Sequence, residues 1–263
     1  MCCFSRPVPY VAGTKIFARS FDDGRQALVY AMDFAAAEEL AMILPIPVPP
    51  AAGEDAVEFV SLEGYDHFFD DVAKAFPVFM VPASRSAGPV LAPAAPRLKV
   101  HDVGDFEASF VPTQVDFDRL DERFKLDPAV WEKLPQYADW GFAIFKLKPL
   151  GTRKRGFLER VFSKPAKQSV HPMAFVFPRR EPERLFFPTM HVHDGEVHPK
   201  ATFDHTLYAQ LEHRSRDLSD WEESEEALGS PVDADRAKGL IDPAGTCWRR
   251  VMRGPFENRD VSL

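Results

Sequence analysis

The chain has 263 residues, 45% hydrophobic and 12% aromatic, with a formal charge of −8. That is apolar material for one large core or two modest ones, and the negative balance argues against nucleic acid as a general partner. No run of eighteen apolar residues occurs, which excludes a transmembrane helix, and MCCFSRPVPY lacks the apolar stretch of a secretory signal. A cytoplasmic protein with reduced thiols is therefore expected, because three cysteines make no disulfide framework.

The elements read in chain order as follows. Thr14–Ser20 and Arg25–Phe34 alternate and are β-rich, and the acidic, glycine-containing FDDG between them predicts a hairpin. Leu40–Ile46 predicts a third strand, ending in PIPVPP, which should leave the sheet as an extended proline arm able to dock on a second copy. Tyr65–Phe76 carries Phe68, Val72 and Phe76 at helical spacing. Residues 82–97 are rich in Pro, Ala and Ser and mark the one weak boundary in an otherwise single domain.

Lys99–Val111 predicts a strand, and Asp116–Leu134 one or two short helices, with Asp127 as cap and Pro128 at the first helical position. Trp140–Leu147 and Val170–Phe177 read as strands. Between them, residues 151–168 hold six Lys/Arg against one Glu, a solvated insert or a helix that contacts a partner or an anionic surface. Leu185–His193 predicts a strand, with Glu196–His205 returning as its hairpin partner across HDGE and Leu207–His213 continuing it. Ser219–Leu228 reads as a capped acidic helix, and the tail after Pro231 as polar and turn-rich. The fold class is α+β: mainly antiparallel strands in two packed sheets with a few flanking helices.

Four of the eight histidines lie within fifteen positions, in MHVHDGEVHPKATFDH. On a strand, residues two apart share a face, so His191 and His193 project together. The expected hairpin would bring His198 and His205 alongside, with Asp204 orienting an imidazole. Three neutral imidazoles with an open position suit zinc, copper or iron. Cys2 or Cys3 would favour zinc or copper, and Glu107 would act on bound water. Against this stands a simpler reading, in which Thr189, His191 and His193 pave an edge strand whose other face carries Met190 and Val192.

The amino terminus carries a second set. Removal of Met1 would leave Cys2 with a thiol beside its own α-amino group, whose pKa near 8 suits an internal base. Phe17-Ala18-Arg19-Ser20-Phe21-Asp22 resembles the Phe-Gly-Arg-Asn-x-Asp strand of N-terminal cysteine hydrolases of the bile-salt hydrolase and penicillin acylase type. That resemblance implies Cys2 as nucleophile, Arg19 as its activator and Asp22 near the amine. The first 75 or so residues also resemble an uncharacterised bacterial domain of unknown function. Its mature chains begin Cys-Gly-Gly-Phe and run through a Gln-x-x-Tyr strand to Leu-Pro-Val-Pro. The matching residues here are Cys2-Cys3-Phe4, Gln26–Tyr30 and Leu44-Pro45-Ile46-Pro47. This resemblance implies a β-rich start and a role for the terminal cysteine, but no activity. The competing functions are a histidine-ligated metalloprotein of hydrolase or oxidoreductase type, an N-terminal cysteine amidohydrolase, and a non-catalytic binding protein.

Overall fold

A computed structural model describes residues 2–8, 10–35, 39–77, 101–102, 106–147, 168–169, 171–211 and 217–263. The loop at 82–97, His213 and residues 151–167 of the basic insert lie outside these. The strands are β1 (Cys2–Phe4), β2 (Tyr10–Ser20), β3 (Arg25–Ala35), β4 (Leu40–Ile46), β5 (Glu58–Ser61), β6 (His101–Asp102), β7 (Phe106–Val111) and β8 (Gly141–Leu147). They continue with β9 (Gln168–Ser169), β10 (Met173–Pro178), β11 (Phe186–Phe187), β12 (His191–Val192), β13 (Lys200–Gln210), β14 (Glu222–Glu223), β15 (Trp248–Glu257) and β16 (Val261–Ser262). Two α-helices, α1 (Phe68–Lys74) and α2 (Pro128–Glu132), join three 3₁₀ turns.

The strands form two large sheets, in the orders β12-β1-β4-β8-β7-β6 and β14-β15-β13-β2-β3-β10-β5, plus the β11-β16 pair. Local chemistry sets the first hairpin. Gly24, with φ of 80°, donates its N–H to Phe21, Phe21 donates to Arg25, and the Asp23 carboxylate accepts from the Arg25 N–H. Strand β4, LAMILPI, is buried at every position because apolar layers cover both of its faces.

Three apolar layers result. The central one lies between the sheets and includes Phe145, Phe175, Phe177 and Phe203. A second covers the outer face of the larger sheet, where α1 buries Phe68, Phe69 and Val72 beside Leu228, Val232 and Leu240. A third covers the outer face of the smaller sheet, where Phe117, Phe124, Leu126 and Val130 dock on Val111, Phe142 and Ile144. The two-sheet architecture and the short capped helix at Asp127 agree with the sequence; the Asp127 carboxylate accepts the Ala129 N–H at 2.9 Å.

Four expectations are corrected. Pro45 sits inside β4 opposite Phe142, and Arg180 donates to the carbonyls of Pro47 and Val48, so Pro45–Pro50 packs on its own chain instead of projecting as an arm. Residues 219–228 are not helical: Glu222 and Glu223 pair with Arg249 and Trp248, and Ser224 donates to Cys247. The polar tail contains a ten-residue strand, β15, paired along β13. The hairpin across HDGE does not form, since β12 belongs to the smaller sheet and β13 to the larger.

Candidate functional site

The histidines converge by a different route from the expected hairpin. Strand β12 is an edge strand that runs parallel to β1, with Cys2 opposite His191 and Cys3 opposite Val192. Period-two alternation then divides its side chains. Met190 and Val192 enter the outer apolar layer with Cys3, while His191 and His193 face the gap between the sheets. From the other sheet β13 presents Phe203 and His205 to the same gap; His205 registers with Thr14 on one side and Met252 on the other.

The result is a stack of rings centred on His191. Its centroid lies 4.7 Å from His193 at 20° between planes, 4.7 Å from His205 at 25°, and 4.5 Å from Phe203 at 24°. The Nε2 atoms of His191 and His205 are 3.1 Å apart. Two buried ring nitrogens, His193 Nε2 and His205 Nδ1, have no hydrogen-bond partner among the described residues. Burial leads the causes that push all three imidazoles down from 6.5, to about 2 for His191, about 4 for His193 and about 3 for His205. All three are therefore neutral near pH 7, with lone pairs able to accept a hydrogen bond or bind a metal ion.

The backbone that carries His191 is held by the chain's last residues. Asn258, itself 8% exposed, accepts the His191 N–H at 2.7 Å and donates to the His191 and His198 carbonyls at 2.9 Å each. Asp260 accepts from the Met190 N–H at 2.9 Å and from the Tyr137 hydroxyl at 2.6 Å. Sequence reasoning missed Asn258 and Asp260, because nothing local in FENRDVSL marks them as supports for a segment some 65 positions earlier.

Several expected partners lie elsewhere. His198 is at the surface, 2.8 Å from Asp194. Asp204, adjacent to His205 and so on the opposite face of β13, accepts the Gly13 N–H and lies 3.5 Å from Arg253; it does not orient His205. Glu107 pairs with Lys146 at 3.2 Å on β7, four strand positions from β12, which is about 19 Å at ordinary strand spacing. Arg19 and Asp22 line a separate cleft with Gln210 and Trp248. Arg19 registers with Gln210, five residues along from the Thr14–His205 pair, or about 16 Å. Among the described residues Cys3 and Cys247 form no disulfide, and both are buried. Among the described residues, no group of three or more His, Cys, Asp or Glu could hold a metal ion.

Fold and site together define a two-sheet β protein with a neutral histidine stack at the seam between its sheets. No family model matches the chain, and no curated protein matches it. Among solved structures it is similar to the crystal structure of baculovirus P35, at 13% identity and a TM-score of 0.48, over 97% of this chain and 96% of that one. It is also similar to a chain of the caspase-8/P35 complex, at 12% identity and a TM-score of 0.47, over 96% of this chain and 95% of that one. No helix of the described residues is long and apolar enough to cross a membrane.

Proposed function

We propose that the protein is a metalloprotein holding one zinc, copper or iron ion at the seam between its sheets. Its nitrogen ligands are the Nε2 atoms of His191 and His205. The observation that supports this is their 3.1 Å separation. Two nitrogens bound to one tetrahedral ion at about 2.1 Å lie about 3.4 Å apart, so the separation suits a shared ion, and the 25° between the ring planes must open for both lone pairs to meet it. Both rings are neutral, as ligands must be. Cys2, the register partner of His191, supplies the third ligand, and its sulfur favours zinc or copper over iron. His193 stacks on His191 at 4.7 Å and 20°, so it is not a ligand, in keeping with the lack of a three-residue metal group among the described residues. Such a centre serves hydrolase or oxidoreductase chemistry through an open position.

Elemental analysis of untagged protein tests this. Close to one equivalent of metal per chain is expected, lost in His191→Ala and in His205→Ala. Cobalt-loaded protein should show a thiolate charge-transfer band that Cys2→Ser removes. Protein free of metal, whose melting temperature is unmoved by added Zn²⁺, Cu²⁺ or Fe²⁺, ends the reading.

The same register favours one other reading, that of Cys2 as an N-terminal nucleophile, because it sets a neutral imidazole beside residue 2. In that reading the terminal α-amino group is the base, and the His191 ring, held well below its usual pKa by burial, only accepts a hydrogen bond. Intact mass would show Met1 removed and a single fast iodoacetamide adduct at Cys2; a retained Met1 excludes it.

A further inference from the structure

The outer face of the smaller sheet is covered by chain that never builds a long helix. Residues 114–137 form 3₁₀ turns at Gln114–Arg119, Glu122–Phe124 and Pro135–Tyr137, and one short α-helix, α2. Such short pieces cannot close against one another along a continuous ridge. A cleft of about 810 Å³ remains between them and the turn after β1, a size within the ordinary range of binding clefts. Its floor is aromatic. Phe117 and Trp131 line it, and they meet each other and the fully buried Phe142 beneath them edge to face, with centroids 5.0 to 5.4 Å apart; Trp131 is only half-buried. Val115, 80% exposed, lies on the turn that carries Phe117.

The rim is acidic. Asp118, Glu122, Asp127 and Glu132 stand against Arg6 and Lys125. Lys125 is already engaged by Glu122, at 2.5 Å, and Asp127 caps α2. Asp118 and Glu132 make no ion pair among the described residues. An aromatic floor with uncommitted carboxylates around it selects against anionic phosphates and lipid headgroups. It complements a chain that carries Lys or Arg beside an apolar anchor: the anchor and the aliphatic stems cover the rings, while the cationic heads reach the carboxylates or the face of Trp131.

We propose that this cleft is a docking site for an extended basic segment of another protein, anchored on Trp131 and oriented by Asp118 and Glu132. It is independent of the metal centre, because it is lined by neither His191 nor His205. Anisotropy of a fluorescein-labelled Lys-Leu-Arg-Phe-Lys-Leu peptide tests it, beside an equally labelled Glu-Leu-Glu-Phe-Glu-Leu peptide. The basic peptide should bind in the micromolar range, the acidic one should not, and binding should weaken with added salt. Asp118→Lys together with Glu132→Lys should lower affinity at least about tenfold, as should Trp131→Ala, while the remote Glu63→Lys leaves it unchanged. The charge reversals are at exposed positions, so they keep the test valid if Trp131→Ala does not fold. Equal binding of both peptides, no binding at millimolar peptide, or insensitivity to the charge reversals overturns the proposal. So does a concentration-dependent dimer, seen by light scattering, that the same reversals dissolve, because that would assign the cleft to a second copy.

Discussion

Asn258 brackets His191: its Oδ1 accepts the His191 N–H at 2.7 Å, and its Nδ2 donates to the His191 carbonyl at 2.9 Å. One side-chain amide thus replaces a neighbouring strand along the edge of β12. Asn258→Ala would leave the two part-buried backbone groups of His191 without this partner, while the carbonyl of surface His198 turns to water. At about 1 kcal/mol each, a loss of about 2 kcal/mol is expected, read as a lower urea midpoint with unchanged m-value. Asn258→Asp should recover only part, because it keeps the acceptor for His191 and turns an oxygen toward two carbonyls.

The same device recurs at Gln26, which is fully buried. Its Nε2 donates to the Phe186 carbonyl at 2.7 Å and its Oε1 accepts the Phe186 N–H at 3.0 Å, tying β3 to β11. Gln26→Leu fills the volume but strands both groups of Phe186 in the core. It should cost about 2 to 4 kcal/mol, more than an exposed glutamine substitution such as Gln136→Leu by at least about 2 kcal/mol, in the same urea titration.

Acid should unfold the metal-free protein through the histidine stack. In the folded chain His191, His193 and His205 are held well below 6.5, chiefly by burial, whereas unfolded histidine protonates near that value. The unfolded state therefore binds more protons between about pH 6.5 and 4. The stabilisation is complete above pH 6.5 and is lost as pH falls through it. Each such proton contributes about 1.4 kcal/mol per pH unit, so three approach about 4 kcal/mol per unit. Urea midpoints measured from pH 8 to pH 5 should fall steeply on the acid side. His193→Phe, beside Phe4 at 5.5 Å, should reduce that slope by about a third. An unchanged slope would mean that the imidazoles titrate in the folded state.

Much of the fold was legible because period and burial coincide. Leu40–Ile46 is apolar throughout and is a central strand; Arg25–Phe34 alternates and is one strand of a hairpin. Strand β15 was invisible because WRRVMRGPFE runs half-buried Arg249 and Arg250 beside an exposed Val251 and carries a Gly-Pro pair, so only its pairing with β13 makes it a strand. Ser219–Leu228 carries a sound capping signal, but Trp221 and Ser224 are used against the β15 side, and tertiary pairing overrides the helical pattern. The site was half legible. Alternation correctly put His191 and His193 on one face, and His205 does join them. The hairpin that was to bring it failed because β13 finds longer partners in β2 and β15 than two-residue β12 could offer. With the hairpin go His198 and Asp204.

Thiol chemistry separates the roles of the cysteines. The chain has three. Cys3 and Cys247 are fully buried, and burial pushes the Cys247 thiol far above its usual range, so neither should react in the native state. Native protein treated with iodoacetamide should therefore gain at most one adduct, mapping to residue 2, and unfolding in guanidinium should expose the other two. Stoichiometric Zn²⁺ should slow the native reaction at least about tenfold if Cys2 is a ligand, because a metal-bound sulfur is a poor nucleophile toward the alkylating agent. A rate indifferent to Zn²⁺ would remove Cys2 from the metal set and leave the two imidazoles without their third partner.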